Sequence, residues 1–353
     1  MGKSLVEVID TLGKVFSFDR MYGDNRVLFC VDSDGCVDPG MKMKHTSPGP
    51  FAKAGVDVFG LDAIDPDWRI VWTLVNEYSY RGCPRFEALT HMPDILNQRQ
   101  NVQNQISLGN VQVPSFEHLK KYLETADDNS DETLLRHVKT LNSSSPEAQE
   151  LRKVLGWSQT VNGYVDTYCP RIDAFDAAKQ TLIEAYKQGI DLMIVSGTPE
   201  NHLKRQWKEH GLLDIVGDAV FGRDTASKNT LIQAAVFAST QANKPYSHIF
   251  MIGDAPGDLK AVRNAFDATA EASVQPHMYF VPIRVNYEGD DWNDFRRSFV
   301  IDFVINKGQS RNRLLKYATA EKAQIKSFEN NLRQAKERYH SGLDIGSLYS
   351  AAQ

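Results

Sequence analysis

Asp32 and Asp34 stand two positions apart, directly after the apolar run Val27-Leu28-Phe29-Cys30-Val31. Asp254 and Asp258 follow a second run, Ile249-Phe250-Met251-Ile252-Gly253. Between them in sequence lie Ser196, which closes Leu192-Met193-Ile194-Val195, and Lys228, in Ser227-Lys228-Asn229. Side chains at i and i+2 of an extended chain share a direction, so Asp32 and Asp34 can reach one pocket. Carboxylates offer only oxygen, a donor set that suits Mg2+ rather than zinc. Together with a lysine and a hydroxyl they match what phosphoryl chemistry needs. A phosphate monoester is a dianion that repels nucleophiles, so attack on it calls for a cation and fixed donors around the phosphoryl oxygens. Taken alone, Asp-x-Asp-Gly is as much a turn sequence as a site. Its weight comes from the company it keeps at the ends of apolar runs.

Those runs are the elements that must position the side chains. Val27–Val31 is short, β-branched and aromatic, the pattern of a buried parallel strand. Ligands of open α/β sheets bind beyond the carboxyl ends of such strands. Regular α/β alternation runs from about residue 171: a helix over Ala174–Gly189 with a Gly stop, strands at Leu192–Val195, Ala219–Phe221, His248–Ile252 and Met278–Ile283, and helices after Ser227 and over Asp258–Ala265. Thr198-Pro199-Glu200 reads as N-cap and first turn of another helix. A lead-in helix is expected over 4–17, from Leu5, Val8, Ile9, Leu12 and Val15.

About 160 residues separate Val37 from Ser196, far more than one crossover helix requires. Asp38-Pro39-Gly40 and Ser47-Pro48-Gly49-Pro50 break any regular element at its start. Helical stripes follow around Trp68–Tyr78, Phe86–Leu96, Phe116–Leu123, Leu134–Leu141 and Leu151–Tyr164, with 97–114 expected as a loop. The excess is therefore an inserted, mainly helical domain. At the C-terminus, Ile325, Phe328, Leu332, Ala335 and Tyr339 make a short heptad stripe, expected to lie on the body of the protein rather than form a dimer coiled coil.

In order and spacing these residues resemble the four motifs of the haloacid dehalogenase (HAD) superfamily, in its phosphatase branch. Asp32-Ser33-Asp34-Gly35-Cys36-Val37 matches its first motif, Ser196 its second, Lys228 its third, and Asp254 with Asp258 its fourth. The resemblance implies a Rossmann-like parallel sheet core over 1–40 and 170–306, a helical cap over 41–169, and a helical extension over 307–353. It implies that Asp32 is the nucleophile, forming an aspartyl-phosphate, and that Asp34 protonates the leaving alcohol and then takes a proton from water. Asp32, Asp254, Asp258 and the Asp34 carbonyl would hold Mg2+. Ser196, with the Gly197 amide, would bind a phosphoryl oxygen, and Lys228 would pair with Asp32 and the phosphate. Dehalogenases of the superfamily lack an acid at the Asp34 position, so Asp34 points to an oxygen ester. Cap cations would choose the substrate, the candidates being Lys42, Lys44, His45, Arg81 and Arg85. Each is as well read as a solvated charge at a helix end, and His45 as a packing or hinge residue.

Composition narrows the rest. A net charge of −5 carries no global basic footprint for nucleic acid. The four cysteines Cys30, Cys36, Cys83 and Cys169 form no C-x-x-C pair, which argues against a zinc cluster or disulfide framework and suits a reducing cytosol. No apolar stretch reaches the length of a membrane span, and no leader or myristoylation signal is read at the N-terminus. The expectation is a cytoplasmic Mg2+-dependent phosphatase of a small phosphorylated metabolite, by default a sugar phosphate, working as monomer or homodimer without nucleic acid or membrane. Its rivals are a phosphomutase, which would need a sugar bisphosphate activator, and a non-catalytic binding protein on the same core.

Overall fold

The computed structural model describes residues 3–46, 49–126, 130–169 and 171–297, which divide into two compact units, 3–40 with 171–297 and 41–169. Trp292, Phe295, Phe299 and Phe303 repeat at helical spacing in the sequence; Phe299 and Phe303, the heptad stripe and the expected extension over 307–353 lie outside the described residues.

The chain opens with α1, Leu5–Val15, whose start is closed reciprocally: Glu7 N–H donates to Ser4 Oγ, and Ser4 N–H donates to the Glu7 carboxylate at 2.7 Å. β1, Val27–Val31, follows and is buried along its whole length. The helical unit then comprises α2 (Gly40–His45), α3 (Pro50–Phe59), α4 (Asp65–Thr73) continued by a π-turn over Leu74–Ser79, α5 (Arg85–Leu96), α6 (Gln100–Ser107), α7 (Glu117–Thr125), α8 (Asp131–Thr140) and α9 (Pro146–Tyr168). Phe51, Phe59, Trp68, Trp72, Phe86, Phe116 and Trp157 build its core. Burying a large apolar side chain of this kind contributes about 1.5–3 kcal/mol.

Two helices of this unit depart from the sequence reading. α3 forms directly at Pro50, the last residue of the expected breaker run 47–50. Pro50 sits in the first turn, where its missing N–H costs nothing. Gly55 lies under Trp68, where a Cβ would come within 2.4 Å of the indole nitrogen. Residues 100–107, expected within a loop, form α6; Val102 is its buried residue, too little apolar periodicity to be read from sequence.

The second unit resumes with α10 (Asp176–Lys187), β2 (Asp191–Val195), α11 (Glu200–Glu209), α12 (Leu213–Val216), β3 (Val220–Phe221), α13 (Lys228–Gln241), β4 (His248–Gly253), α14 (Pro256–Ala268), β5 (His277–Pro282) and α15 (Glu288–Phe295). The five strands pair in parallel in the order β3-β2-β1-β4-β5. Alternate residues face opposite layers. Phe29, Val31, Ile194, Phe250 and Ile252 pack with Leu182, Leu203, Trp207, Trp292 and Phe295, from α10, α11 and α15. Leu28, Cys30, Met193, Val195, Ile249 and Met251 pack with Leu12, Leu231 and Val262, from α1, α13 and α14. Both faces are covered, which is why the strands read as unbroken apolar runs.

The order places β1 in the middle, where the chain leaves for β2 on one side and later crosses to β4 on the other. This is the switch point at which open α/β sheets bind ligands. Register aligns the strand ends there. Val31 is level with Ile194 of β2 and Ile252 of β4, and Asp32 N–H donates to the Ile252 carbonyl at 2.9 Å.

Candidate active site

Asp32 emerges from β1 and Asp254 from the adjacent β4, both buried. Asp258 reaches the same place from the first turn of α14, where its Oδ2 accepts the Ala255 N–H at 3.1 Å. The turn before it is tight: a Cβ on Gly253 would lie 2.3 Å from Asp258 Oδ2. Carboxylate oxygens of Asp32, Asp254 and Asp258 all lie within 4.8 Å of one another. Lys228 enters from the start of α13, where Ser227 Oγ caps the helix by accepting the Thr230 N–H. Its ammonium is 2.8 Å from Asp32 Oδ2 and 2.6 Å from Asp258 Oδ1. The four groups that sequence placed at separate strand and helix ends are thus one cluster.

Electrostatics follow from that burial. Loss of solvent pushes the Asp32 carboxyl up to about 6, with Lys228 opposing the shift and Asp258 adding to it. Burial also works against the charge on Lys228, but Asp258 and Asp32 outweigh it and hold its ammonium above the ordinary lysine range. Near neutral pH Asp32 is therefore anionic and Lys228 cationic. Three buried carboxylates facing one ammonium leave excess negative charge, and an all-oxygen donor set of this kind fits a hard divalent cation.

Asp34 stands across the turn made by Gly35, whose φ of 83° is natural only to glycine. Thr198 Oγ1 donates to Asp34 Oδ2 at 3.0 Å, and Gln206 Nε2 to Asp34 Oδ1 at 3.3 Å. Thr198 is therefore not the helix cap its sequence suggests; Pro199 takes that position and the threonine hydroxyl turns to Asp34. The other Gln206 amide hydrogen goes to buried Asp38 at 2.8 Å, and Trp207 Nε1 donates to Ser33 Oγ at 3.0 Å. His210 Nε2 lies 3.0 Å from the Ile172 carbonyl and 3.6 Å from Asp38. Burial holds the His210 imidazole below its ordinary value, against the pull of the Ile172 carbonyl, so Nε2–H is the donor. Sequence reading missed this set. Its only signal is the helical spacing of Thr198, Gln206 and His210, which ordinary polar surface residues also show.

Ser196 ends β2 and is buried; its Oγ accepts the Thr198 N–H at 3.2 Å, and Gly197 beside it is exposed. Cys30 and Cys36 are buried and their thiols are pushed up by desolvation, which makes them packing groups. Lys42, Lys44, His45, Arg81 and Arg85 belong to the helical unit. Lys42 and Lys44 are half-buried on α2. His45 is buried, its ring 4.2 Å from that of Phe51 and stacked on Trp72 at 5.9 Å. Arg81 is buried and pairs with Glu77 at 2.8 Å. Arg85 donates to Ser158 Oγ and Asn162 Oδ1, each at 2.9 Å.

Residues 116–269 match the family model described as haloacid dehalogenase-like hydrolase, a span that holds Ser196, Lys228, Asp254 and Asp258 but begins after Asp32 and Asp34. No curated protein matches the chain. Among solved structures, a HAD family hydrolase from Deinococcus radiodurans R1, with bound phosphate and sodium, is 13% identical, covers 74% of this chain and 81% of its own, and superposes with a TM-score of 0.34. A structural-genomics target is likewise 13% identical, covers 73% of this chain and 89% of its own, and has a TM-score of 0.33. No helix among the described residues is long and apolar enough to cross a membrane.

Proposed function

We propose that the chain, whose residues 116–269 match the haloacid dehalogenase-like hydrolase model, is a Mg2+-dependent phosphomonoester hydrolase acting through a phosphorylated Asp32 on a small soluble metabolite, by default a sugar phosphate. The observation that carries this reading is the buried cluster of Asp32, Asp254 and Asp258 with Lys228 between Asp32 and Asp258, at the carboxyl ends of β1 and β4. A degenerate binding core would have no reason to keep such a costly arrangement of unlike charges.

Asp32, Asp254 and Asp258, with the Asp34 main-chain carbonyl, would hold the Mg2+. When bound, the ion screens the repulsion between phosphate and carboxylate. Lys228 keeps Asp32 ionised and offers its charge to the phosphoryl oxygens. The Ser196 hydroxyl and the Gly197 N–H donate to a phosphoryl oxygen. An Asp32 oxygen bonds to phosphorus as the ester oxygen leaves, and Asp34 gives that oxygen its proton. Water then attacks the phosphorus, Asp34 takes the water's proton, and the Asp32–phosphorus bond breaks. The presence of Asp34 favours an oxygen ester over a carbon–halogen bond.

Residues 41–169 are proposed as the cap that selects substrate, on the 1–40 and 170–306 core. Its candidate contacts stay Lys42, Lys44, His45, Arg81 and Arg85. Within the unit Arg81 pairs with Glu77, His45 packs on Phe51, and Arg85 donates to Ser158 and Asn162. A cytoplasmic setting suits four cysteines that form no disulfide. The test is phosphate release from a panel of phosphorylated metabolites and an aryl phosphate, with Mg2+ or EDTA. Release that needs Mg2+ and disappears in Asp32→Asn is the expected result; no release from any ester by Mg2+-loaded protein would move the reading to a mutase or a binding protein.

A further inference from the structure

Asp34 does not sit in its loop by loop geometry alone. Both oxygens are held from the one segment that follows β2. Oδ2 takes the Thr198 hydroxyl at 3.0 Å, and Oδ1 takes Gln206 Nε2 at 3.3 Å. Gln206 is itself fixed. Its second amide hydrogen goes to Asp38 Oδ2 at 2.8 Å, and Asp38 is fully buried, with its Oδ1 taking the Gly40 N–H at 2.7 Å. The facing carboxylates also fix which way the amide turns, since its oxygen would repel both. Trp207, next along α11, donates to Ser33, so the helix grips the catalytic loop on both sides of Asp34. Gly40 completes the fit: a Cβ there would stand 2.5 Å from Asp34 Oδ1 and 2.6 Å from Asp38 Oδ1.

We propose that Gln206 and Thr198 are positioning residues that set the orientation of the Asp34 carboxyl for proton transfer, with Asp38 as the anchor of Gln206. The proposal rests on the phosphatase reading above and adds residues that lie outside its four motifs. The two partners differ in kind. An amide N–H can only donate, whereas a hydroxyl donates or accepts, so Oδ1 is pinned as an acceptor while Oδ2 keeps a partner in either protonation state. General acid catalysis requires the carboxyl within hydrogen-bond reach of the leaving oxygen, and a side chain free to turn about its own bonds loses much of that advantage.

The experiment separates proton donation from everything else by leaving group. An alkyl phosphate needs its oxygen protonated as it departs; a nitrophenyl phosphate does not. Gln206→Met and Thr198→Val remove the donors at similar size, and Thr198→Ser restores one. In the full chain with Mg2+, each of the first two lowers the alkyl-to-aryl ratio of kcat/KM, which reports transfer to Asp32 and not the later attack of water, by about tenfold or more, while Thr198→Ser keeps the native ratio. Mg2+ affinity by calorimetry stays native in all three, because the side chains replaced are outside the acidic trio. Gln206→Met also takes a donor from buried Asp38, so if it fails to fold, Thr198→Val, which touches Asp34 without Asp38, decides. An unchanged ratio, or an equal fall on both esters, overturns the positioning role. If Asp34→Asn leaves alkyl turnover intact, or the native chain hydrolyses neither ester, the catalytic reading itself falls and takes this role with it.

Discussion

Replacing Lys228 with Met keeps the stem and removes the ammonium. The two carboxylates it faces, at 2.8 Å and 2.6 Å, belong to side chains only 10% and 1% exposed. Removing one partner of a buried ion pair costs about 3–5 kcal/mol, because the charge left behind has lost both water and counter-ion. The Lys228 side chain keeps 21% exposure, so water screens part of the interaction and the low end, about 3 kcal/mol, applies. With about 2–4 °C per kcal/mol for a unit of this size, the metal-free variant melts about 6–12 °C below the native chain at neutral pH. The loss depends on pH in a definite direction. Asp32 already titrates at about 6, and losing Lys228, which holds that value down, raises it further. At about pH 5 the stranded carboxyl is neutral and the penalty shrinks. Melting followed in EDTA at about pH 5 and pH 7.5 is the assay. A drop of less than about 2 °C at the higher pH, or the same drop at both, would refute the claim that Lys228 neutralises a buried acidic pair.

Gly253→Ala puts a Cβ 2.3 Å from Asp258 Oδ2 and 2.7 Å from its Cβ, so the aspartate must move; we expect a loss of about 1–3 kcal/mol and weaker Mg2+ binding by calorimetry, and native affinity would contradict the tight turn. Asp191 is buried and its carboxyl is pushed up to about 6 by desolvation, against the Tyr246 hydroxyl and Arg20. A raised carboxyl binds its proton more tightly folded than unfolded, so its stabilising share is present below about pH 4 and lost by about pH 6. The stability of the native chain relative to Asp191→Asn should therefore fall by up to about 3 kcal/mol across that window and stay flat above it; a constant difference in urea melts would contradict the shift. In the helical unit, Gly55→Ala meets Trp68 Nε1 at 2.4 Å, and a loss of about 1–3 kcal/mol with altered tryptophan emission is expected; native stability would show that α3 and α4 can part freely.

Much of this fold is legible because the sheet is covered on both faces. Strands such as Ile249–Ile252 must then be apolar throughout, and the polar residue that ends each run marks the carboxyl edge. Asp32, Ser196 and Asp254 stand out for that reason, and Lys228 because a capping serine precedes it. What stayed hidden depends on contacts across the sequence. Thr198 fits the helix-cap pattern so well that its bond to Asp34, 164 residues away, leaves no local sign. Gln206 is an ordinary residue on a surface helix until the loop of Asp34 and Asp38 is laid against it. Pro50 reads as part of a breaker run, yet it opens the first turn of α3, and the place of Gly55 under Trp68 is set by packing. Arg81 reads from sequence as a candidate substrate contact, yet its partner Glu77 is one turn away on a segment wound as a π-helix.

The measurement that bears most directly on the chemistry is to quench the Mg2+-loaded enzyme in acid during turnover and look for phosphate on the peptide that contains Asp32. A nucleophilic Asp32 predicts an acyl phosphate there that hydroxylamine removes and that Asp32→Asn never forms. Steady turnover with no hydroxylamine-labile phosphate, together with activity retained in Asp32→Asn, would contradict it.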